Sequence, residues 1–137
     1  MAYWLMKAEP NDYTFEDLKR DGVAEWDGIH NHQAANNMRA MKKGDRAFFY
    51  RSLKDPAVIG IMEIAREAYE DPDDPKESFV LVDVKAIKPV TREVSLKAIK
   101  AEPKLQDMAL VRQSRLSVSP VNDQAWALIC EMAETKA

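Results

Sequence analysis

Glu25–Met41 reads E-W-D-G-I-H-N-H-Q-A-A-N-N-M-R-A-M, and the rest of the chain is organised around it. Asp27-Gly28 predicts a turn, since Gly accepts positive φ and Asp bonds its own backbone. Asn31 is a natural N-cap, its side-chain oxygen placed to accept a free N–H of the first helical turn. Ala34, Ala35, Met38 and Met41 then recur three and four residues apart, the spacing of one helix face. Trp26 offers a flat π surface beside Asn and His side chains that carry donors and acceptors. Together these could line a pocket for a flat, polar ring. A plainer account fits the same residues, with Trp26 as a buried anchor and the amides capping and solvating the helix.

Outward from this stretch the pattern alternates between strand and helix. Tyr3–Lys7 is a short apolar strand, broken by Glu9-Pro10-Asn11-Asp12. Thr14-Phe15-Glu16-Asp17 has the form of a capping box, opening a helix to about Arg20 that stops at Asp21-Gly22. Beyond the central helix, Lys42-Lys43-Gly44-Asp45 is a turn. Arg46–Arg51 and Val58–Ala65 form a hairpin-like pair of strands, and Gly60 marks a bulge or a close backbone approach. Phe79–Ile87 alternates as a half-exposed strand, and Tyr69–Glu77 is expected to be a loop. Ser95 caps a short helix to Ala101, Leu116–Ser119 is a last strand, and Asn122 caps a C-terminal helix. Five strands with short helices around them make an α+β, barrel-like domain spanning residues 1–137.

Composition narrows the classes of function. At 137 residues and 15.6 kDa, with 46% hydrophobic and 31% charged residues, the chain has the make-up of one globular domain. No run of eighteen apolar residues and no secretory signal pattern is visible. Cys130 has no partner for an internal disulfide, which suits a reducing cytoplasm. The net charge of −3 is unevenly spread: +1 over residues 1–54, −7 over 55–83 and +3 over 84–137. Acidity is centred on E-D-P-D-D-P at Glu70–Pro75, so a local phosphate-binding face is permitted while tight, sequence-blind binding by counterion release is disfavoured.

Several stretches together resemble the EVE-domain proteins. They are Y-W-L-M-K-A-E-P at Tyr3–Pro10, W-D-G-I-H-N-H-Q-A-A-N-N-M-R-A-M-K-K-G-D at Trp26–Asp45, and F-F-Y-R-S at Phe48–Ser52. Ile59-Gly60-Ile61, D-M-A-L-V-R-Q-S-R-L-S-V at Asp107–Val118 and Trp126 follow in the same order. The resemblance implies a PUA-like mixed β-barrel similar to YTH domains, which hold a methylated adenine in an aromatic pocket. The implied function is recognition of a modified base, cytosine or adenine, in DNA before RNA, either in a single strand or flipped from a duplex; the residues themselves offer no catalytic constellation, so a non-catalytic reader is expected.

Such a site needs an aromatic face for stacking and hydrogen bonds to the Watson–Crick edge. Trp26 is the candidate stacking wall, and a stacking wall would cost binding more than stability when truncated. By similarity to the YTH arrangement, the main chain of Lys7 and Ala8 and the Glu9 carboxylate would read the ring. Asn31, Tyr50 and Ser52 would stand at the mouth. His32 replaces the Tyr of many relatives, and Ala8 the Ser. Arg115 would hold a phosphate or ligand oxygen, while Arg39, Lys42, Lys43 and Arg112 would contact the nucleic-acid backbone. Trp4 and Trp126 read as core, and of Phe48 and Phe49 at most one can face a pocket. His30-x-His32 lacks the further ligands zinc needs, Cys130 reads as core filler, and no motif calls for a cofactor. A monomer without membrane contact is expected. An enzyme acting on modified nucleotides or RNA, and a binder of free nucleobases or nucleosides, remain the competing readings.

Overall fold

The computed structural model describes residues 1–27, 29, 31–72 and 79–136. Six strands are present among them: β1 (Tyr3–Ala8), β2 (Val23–Trp26), β3 (Arg46–Arg51), β4 (Ala57–Glu70), β5 (Val80–Ser95) and β6 (Val118–Val121). They form one sheet in the order β2-β5-β4-β3-β1-β6, in which β1 and β3 are parallel and every other neighbouring pair is antiparallel. The helices are α1 (Phe15–Asp21), α2 (His32–Ala40), α3 (Leu96–Ala101), α4 (Ala109–Arg112) and α5 (Asp123–Met132), with a 3-10 turn at Pro103–Leu105.

Alternation along the central strands builds two cores. Trp4, Met6 and Ala8 of β1 and Ala47 and Phe49 of β3 point to one face, beneath α2. Leu5, Phe48 and Tyr50 point to the other, where Ile99, Leu105 and Trp126 cover them. The sheet is strongly curled. Trp26 on β2 and Phe49 on β3 stand three strand positions apart, about 14 Å in a flat sheet. Their rings nonetheless meet edge-on with centroids at 5.7 Å. Val118 on the opposite edge joins the same core as Trp26, so both sheet edges wrap around α2. This is the mixed α+β, PUA-like arrangement the resemblance implied.

Local signals were strong at the helix starts. Thr14 Oγ1 accepts from the Asp17 amide at 3.1 Å while Asp17 accepts from the Thr14 amide at 3.0 Å, completing the capping box. Asn31, Ser95 and Asn122 cap their helices at 2.9, 3.0 and 2.8 Å. Signals were weak in the strands. Trp26, expected on a turn, ends a sixth strand whose partner β5 lies some sixty residues away, with Trp26 opposite Val82. Gly28, His30 and 73–78 lie outside the described residues, and with them the expected Asp27-Gly28 turn, the His30-x-His32 pair and most of the acidic loop. β4 also runs past Ala65 to Glu70. Its polar end is held by the Tyr69 hydroxyl, which donates to Asp83 at 2.5 Å, and by the Arg66 guanidinium 3.7 Å above the Tyr69 ring.

Gly60 is a close-approach glycine. A β-carbon there would lie 2.3 Å from the Phe15 ring, and the β4 register shifts between Val58 and Gly60 to bring the bare backbone under α1. Phe15 in turn meets Phe49 edge-on at 5.4 Å, and Phe49 meets Trp26. Gly60→Ala is therefore expected to displace Phe15 and lower stability by about 1–3 kcal/mol, the usual cost of overpacking. A urea melt measures this; an unchanged midpoint would show that Phe15 moves freely.

A candidate binding cavity beside Trp26

The exit of β1, the end of β2 and the start of β6 converge on a cavity of about 670 Å³. Trp26, Ile29, Val23, Ala24 and Ala8 supply its apolar walls. Trp26 is 7% exposed, so most of the indole is embedded in the core and only a margin faces the space. Five acidic residues, Glu9, Asp12, Asp21, Glu25 and Asp27, are among those that line it, and Ser117 closes the side toward β6. The Tyr13 hydroxyl donates to Asp21 at 2.7 Å. Burial first, and then this bond, holds the Tyr13 phenol well above its ordinary pKa. The same bond, joined by the Arg20 guanidinium, holds Asp21 below the usual carboxylate range.

Acidic residues therefore outnumber basic ones in the described lining. The one cation among the described lining residues, Lys7, donates its amine to the Ser114 carbonyl at 2.8 Å, and Nζ sits 5.8 Å from the Tyr50 ring. Burial lowers the Lys7 pKa. The charge count by sequence segment concealed this arrangement. Residues 1–54 sum to +1, yet five of their eight acidic residues line one cavity.

Of the site residues expected from sequence, Trp26, Lys7, Ala8 and Glu9 are brought together here. Main-chain reading by Lys7 and Ala8 is narrower than expected. The Lys7 amide donates to the Ser117 carbonyl at 2.9 Å, and the Ala8 carbonyl accepts from both the amide and hydroxyl of Ser52, at 2.9 and 3.1 Å. Ser52 thus braces the wall from behind instead of standing at the mouth. Tyr50 is a correction: strand alternation sends it to the opposite face, where it is buried in the outer core and its phenol is pushed up to about 12 by burial. His32 is exposed and stacks on Phe79 at 5.2 Å, away from Glu9. Asn31 is occupied as the cap of α2.

The basic residues divide. Arg112 pairs with Asp107 at 2.7 Å and Arg39 donates to Asn36 at 2.8 Å. Arg115 is exposed, with no hydrogen bond or ion pair to its side chain among the described residues, two positions before Ser117. Lys42 and Lys43 are exposed beyond α2. Sequence reasoning missed Val23, Glu25 and Asp27, which flank Trp26 on its unrecognised strand, and Asp12, Asp21 and Ser117. Once V-A-E-W is read as a strand, period-two alternation finds Ala24 beside Trp26; nothing local signals Ser117.

A second, smaller cavity of about 310 Å³ lies on the far side of the Glu9–Tyr13 turn, lined by Phe15, Phe49, Ile59 and Pro89 among others. Phe49 faces it while Phe48 fills the outer core, in keeping with strand alternation.

Comparison with known proteins follows the same lines. The family model described as "EVE domain" matches residues 2–132. Thymocyte nuclear protein 1 of Mus musculus is 35% identical over an alignment covering 98% of this chain and 74% of the mouse protein. A solved protein from Rhodopseudomonas palustris superposes with a TM-score of 0.93 at 48% identity, covering 98% of this chain and 94% of that one. Human THYN1, solved in complex with 5-methylcytosine-containing DNA, superposes with a TM-score of 0.91 at 30% identity over the whole of both chains. A YTH domain from Zygosaccharomyces rouxii shares the fold with a TM-score of 0.60 at 14% identity, covering 96% of this chain and 86% of that one.

Proposed function

This chain belongs to the EVE-domain family, and from that premise we propose that it is a non-catalytic reader of a modified base in nucleic acid, held in the cavity beside Trp26. The observation that carries the reading is a cavity of about 670 Å³ lined by Trp26 and by five acidic residues. That volume falls within the about 300–1,000 Å³ of ordinary ligand sites. The human relative solved with 5-methylcytosine DNA supplies the ligand class.

The chemistry is matched. Carboxylates accept from the exocyclic amino group of cytosine, and adenine presents an amino group of the same kind. A base offering a carbonyl at that position meets acceptor against acceptor. Ile29, Val23 and Ala24 give an added methyl group an apolar place to sit, and the Trp26 margin supplies stacking. Arg115, exposed and without a hydrogen-bond or ion-pair partner among the described residues, is the best-placed residue for a phosphate, with Lys42, Lys43, Arg39 and Arg112 as weaker backbone contacts. Its reducing compartment would be the one that holds the nucleic acid, whether cytoplasm or nucleus, in keeping with the buried free thiol of Cys130.

The test is a titration series with oligonucleotides carrying cytosine, 5-methylcytosine, 5-hydroxymethylcytosine or N6-methyladenine, each as DNA and RNA. One modified base should bind well above its unmodified parent, and mass spectrometry should recover every oligonucleotide unchanged. Equal affinity throughout, or turnover, would overturn the reading. Within the same series, Arg115→Ala is expected to weaken binding evenly across sequences and reduce the salt slope by about 1, leaving the melting temperature unchanged. A loss confined to the modified oligonucleotide would place Arg115 in the base pocket instead.

A further inference from the structure

Among the described residues, every side-chain nitrogen or oxygen closed off from solvent in a buried or half-buried residue has a hydrogen-bond partner. The three indoles divide on this point. Trp4 donates to Asp45 at 3.0 Å. Trp26 and Trp126 have no hydrogen-bond partner for the ring nitrogen among the described residues. Both of these N–H groups must therefore reach the solvent-accessible margin of an otherwise buried ring. Trp126 lines neither cavity, whereas Trp26 lines the larger one and not the smaller. Since Trp26 is only 7% exposed, the part of its indole left open includes the N–H edge, and the space beside it is the Trp26 cavity. Five acidic residues share that lining, and none of them accepts from the indole. A donor so nearly enclosed, facing a ligand-sized space with no acceptor of its own, is left for the ligand.

We propose that Trp26 reads the base through its indole N–H, donating to the unprotonated ring nitrogen beside the exocyclic amino group, N3 of a cytosine or N1 of an adenine. This rests on the base-reader reading above and adds a directed bond to it. Cytosine and adenine each present an amino donor and a ring-nitrogen acceptor side by side on the Watson–Crick edge. An acidic side chain of the lining and the indole N–H can hold the two together. Guanine, thymine and uracil carry a ring N–H at that position, which meets the indole donor against donor. The substrates are then bases whose mark leaves this nitrogen free. A methyl group on C5 or on the amino nitrogen is accepted, and one on N3 of cytosine or N1 of adenine is refused. A site that must bond a ligand atom rejects the analogue lacking it, because its own buried group is left unpaired.

The test compares two single strands of one sequence, one carrying 5-methylcytosine and one carrying 3-deaza-5-methylcytosine. In the second, a C–H replaces N3 while the amino and methyl groups stay. Wild-type protein should bind the first strand about tenfold more tightly. Trp26→Phe, which keeps an aromatic ring and loses the donor, should bind the two alike. In the wild type the Trp26 indole proton should move downfield with the first strand and not with the second, a readout that needs no variant. The Trp126 proton, equally unpartnered and outside both cavities, should stay in place. Equal wild-type affinity for the two strands, an upfield shift of the kind a stacked ring produces, or a preference retained by Trp26→Phe overturns the bond while leaving the reader intact. Wild-type protein that binds the 5-methylcytosine strand no better than its unmodified parent overturns both.

Discussion

Trp26→Ala is expected to lower both stability and affinity, by different mechanisms that can be measured apart. The indole is all but enclosed, sits in the inner core with Met6, Phe49 and Val82, and meets Phe49 edge-on. Truncating a side chain so placed costs about 3–5 kcal/mol, a large part of the about 5–15 kcal/mol that holds a domain together. The expectation from sequence that a stacking Trp26 would cost less stability than a fully buried Trp is corrected here by its burial. Loss of the stacking margin should cost a further about 1–3 kcal/mol of binding, roughly five- to a hundredfold. Urea unfolding gives the first quantity, and titration under conditions where the variant is folded gives the second. Trp26→Phe, keeping an aromatic surface, should recover most of both. A folded Trp26→Ala that binds modified oligonucleotide like wild type would leave the indole a core anchor and nothing more.

Asp45→Ala should be comparably damaging to stability and silent in binding. This carboxylate is 4% exposed and collects three donors: the Trp4 indole at 3.0 Å, the Lys42 amide at 2.9 Å and the Ala2 amide at 3.2 Å. It ties Ala2 to the turn between α2 and β3, and none of these three donors lines the cavity. Each buried donor left without an acceptor costs about 1–3 kcal/mol. With the indole and the Lys42 amide both stranded, the expected loss is about 2–6 kcal/mol. Asp45→Asn keeps one acceptor oxygen and should lose less. Chemical denaturation ranks the three proteins, and a wild-type midpoint for Asp45→Ala would mean water replaces the carboxylate at no cost.

Asp45 also illustrates which parts of the molecule were legible in the sequence. K-K-G-D was read as a turn, correctly, because turn chemistry is local; that its last residue would hold the Trp4 indole depends on a pairing forty-one positions away. The same division runs through the fold. Thr14, Asn31, Ser95 and Asn122 announce their helices because a cap acts on the next turn of its own chain. Gly60 was legible as a bulge or a close approach, the two usual meanings of a glycine inside a strand, though its partner Phe15 was not. V-A-E-W escaped notice because four residues show too little alternation, and the polar end of β4 escaped because cross-strand contacts from Tyr69 and Arg66 hold it. At the cavity, Trp26 stood out as a flat surface among polar side chains, while Lys7, Ala8 and Glu9 came from the family resemblance. Tyr50 was misplaced because the parity of β3 could not be fixed before its partners were known. Ser117 and the gathering of carboxylates arise only when β1, β2 and β6 meet.

The central claim, that the modified base enters beside Trp26, is tested most directly by following the three indole N–H resonances during titration with a 5-methylcytosine oligonucleotide. Trp4 and Trp126 report on the two cores, the first through its bond to Asp45 and the second through its stack on Phe48 at 3.9 Å. The Trp26 resonance should shift on addition of the methylated oligonucleotide and move far less with its unmethylated counterpart. The amides of Ala8 and Ser117 should follow it, while the Trp4 and Trp126 resonances stay in place. Identical shifts for both oligonucleotides, or a response confined to residues such as Phe15 and Ile59 around the smaller cavity, would contradict the assignment of the Trp26 cavity as the base-binding site.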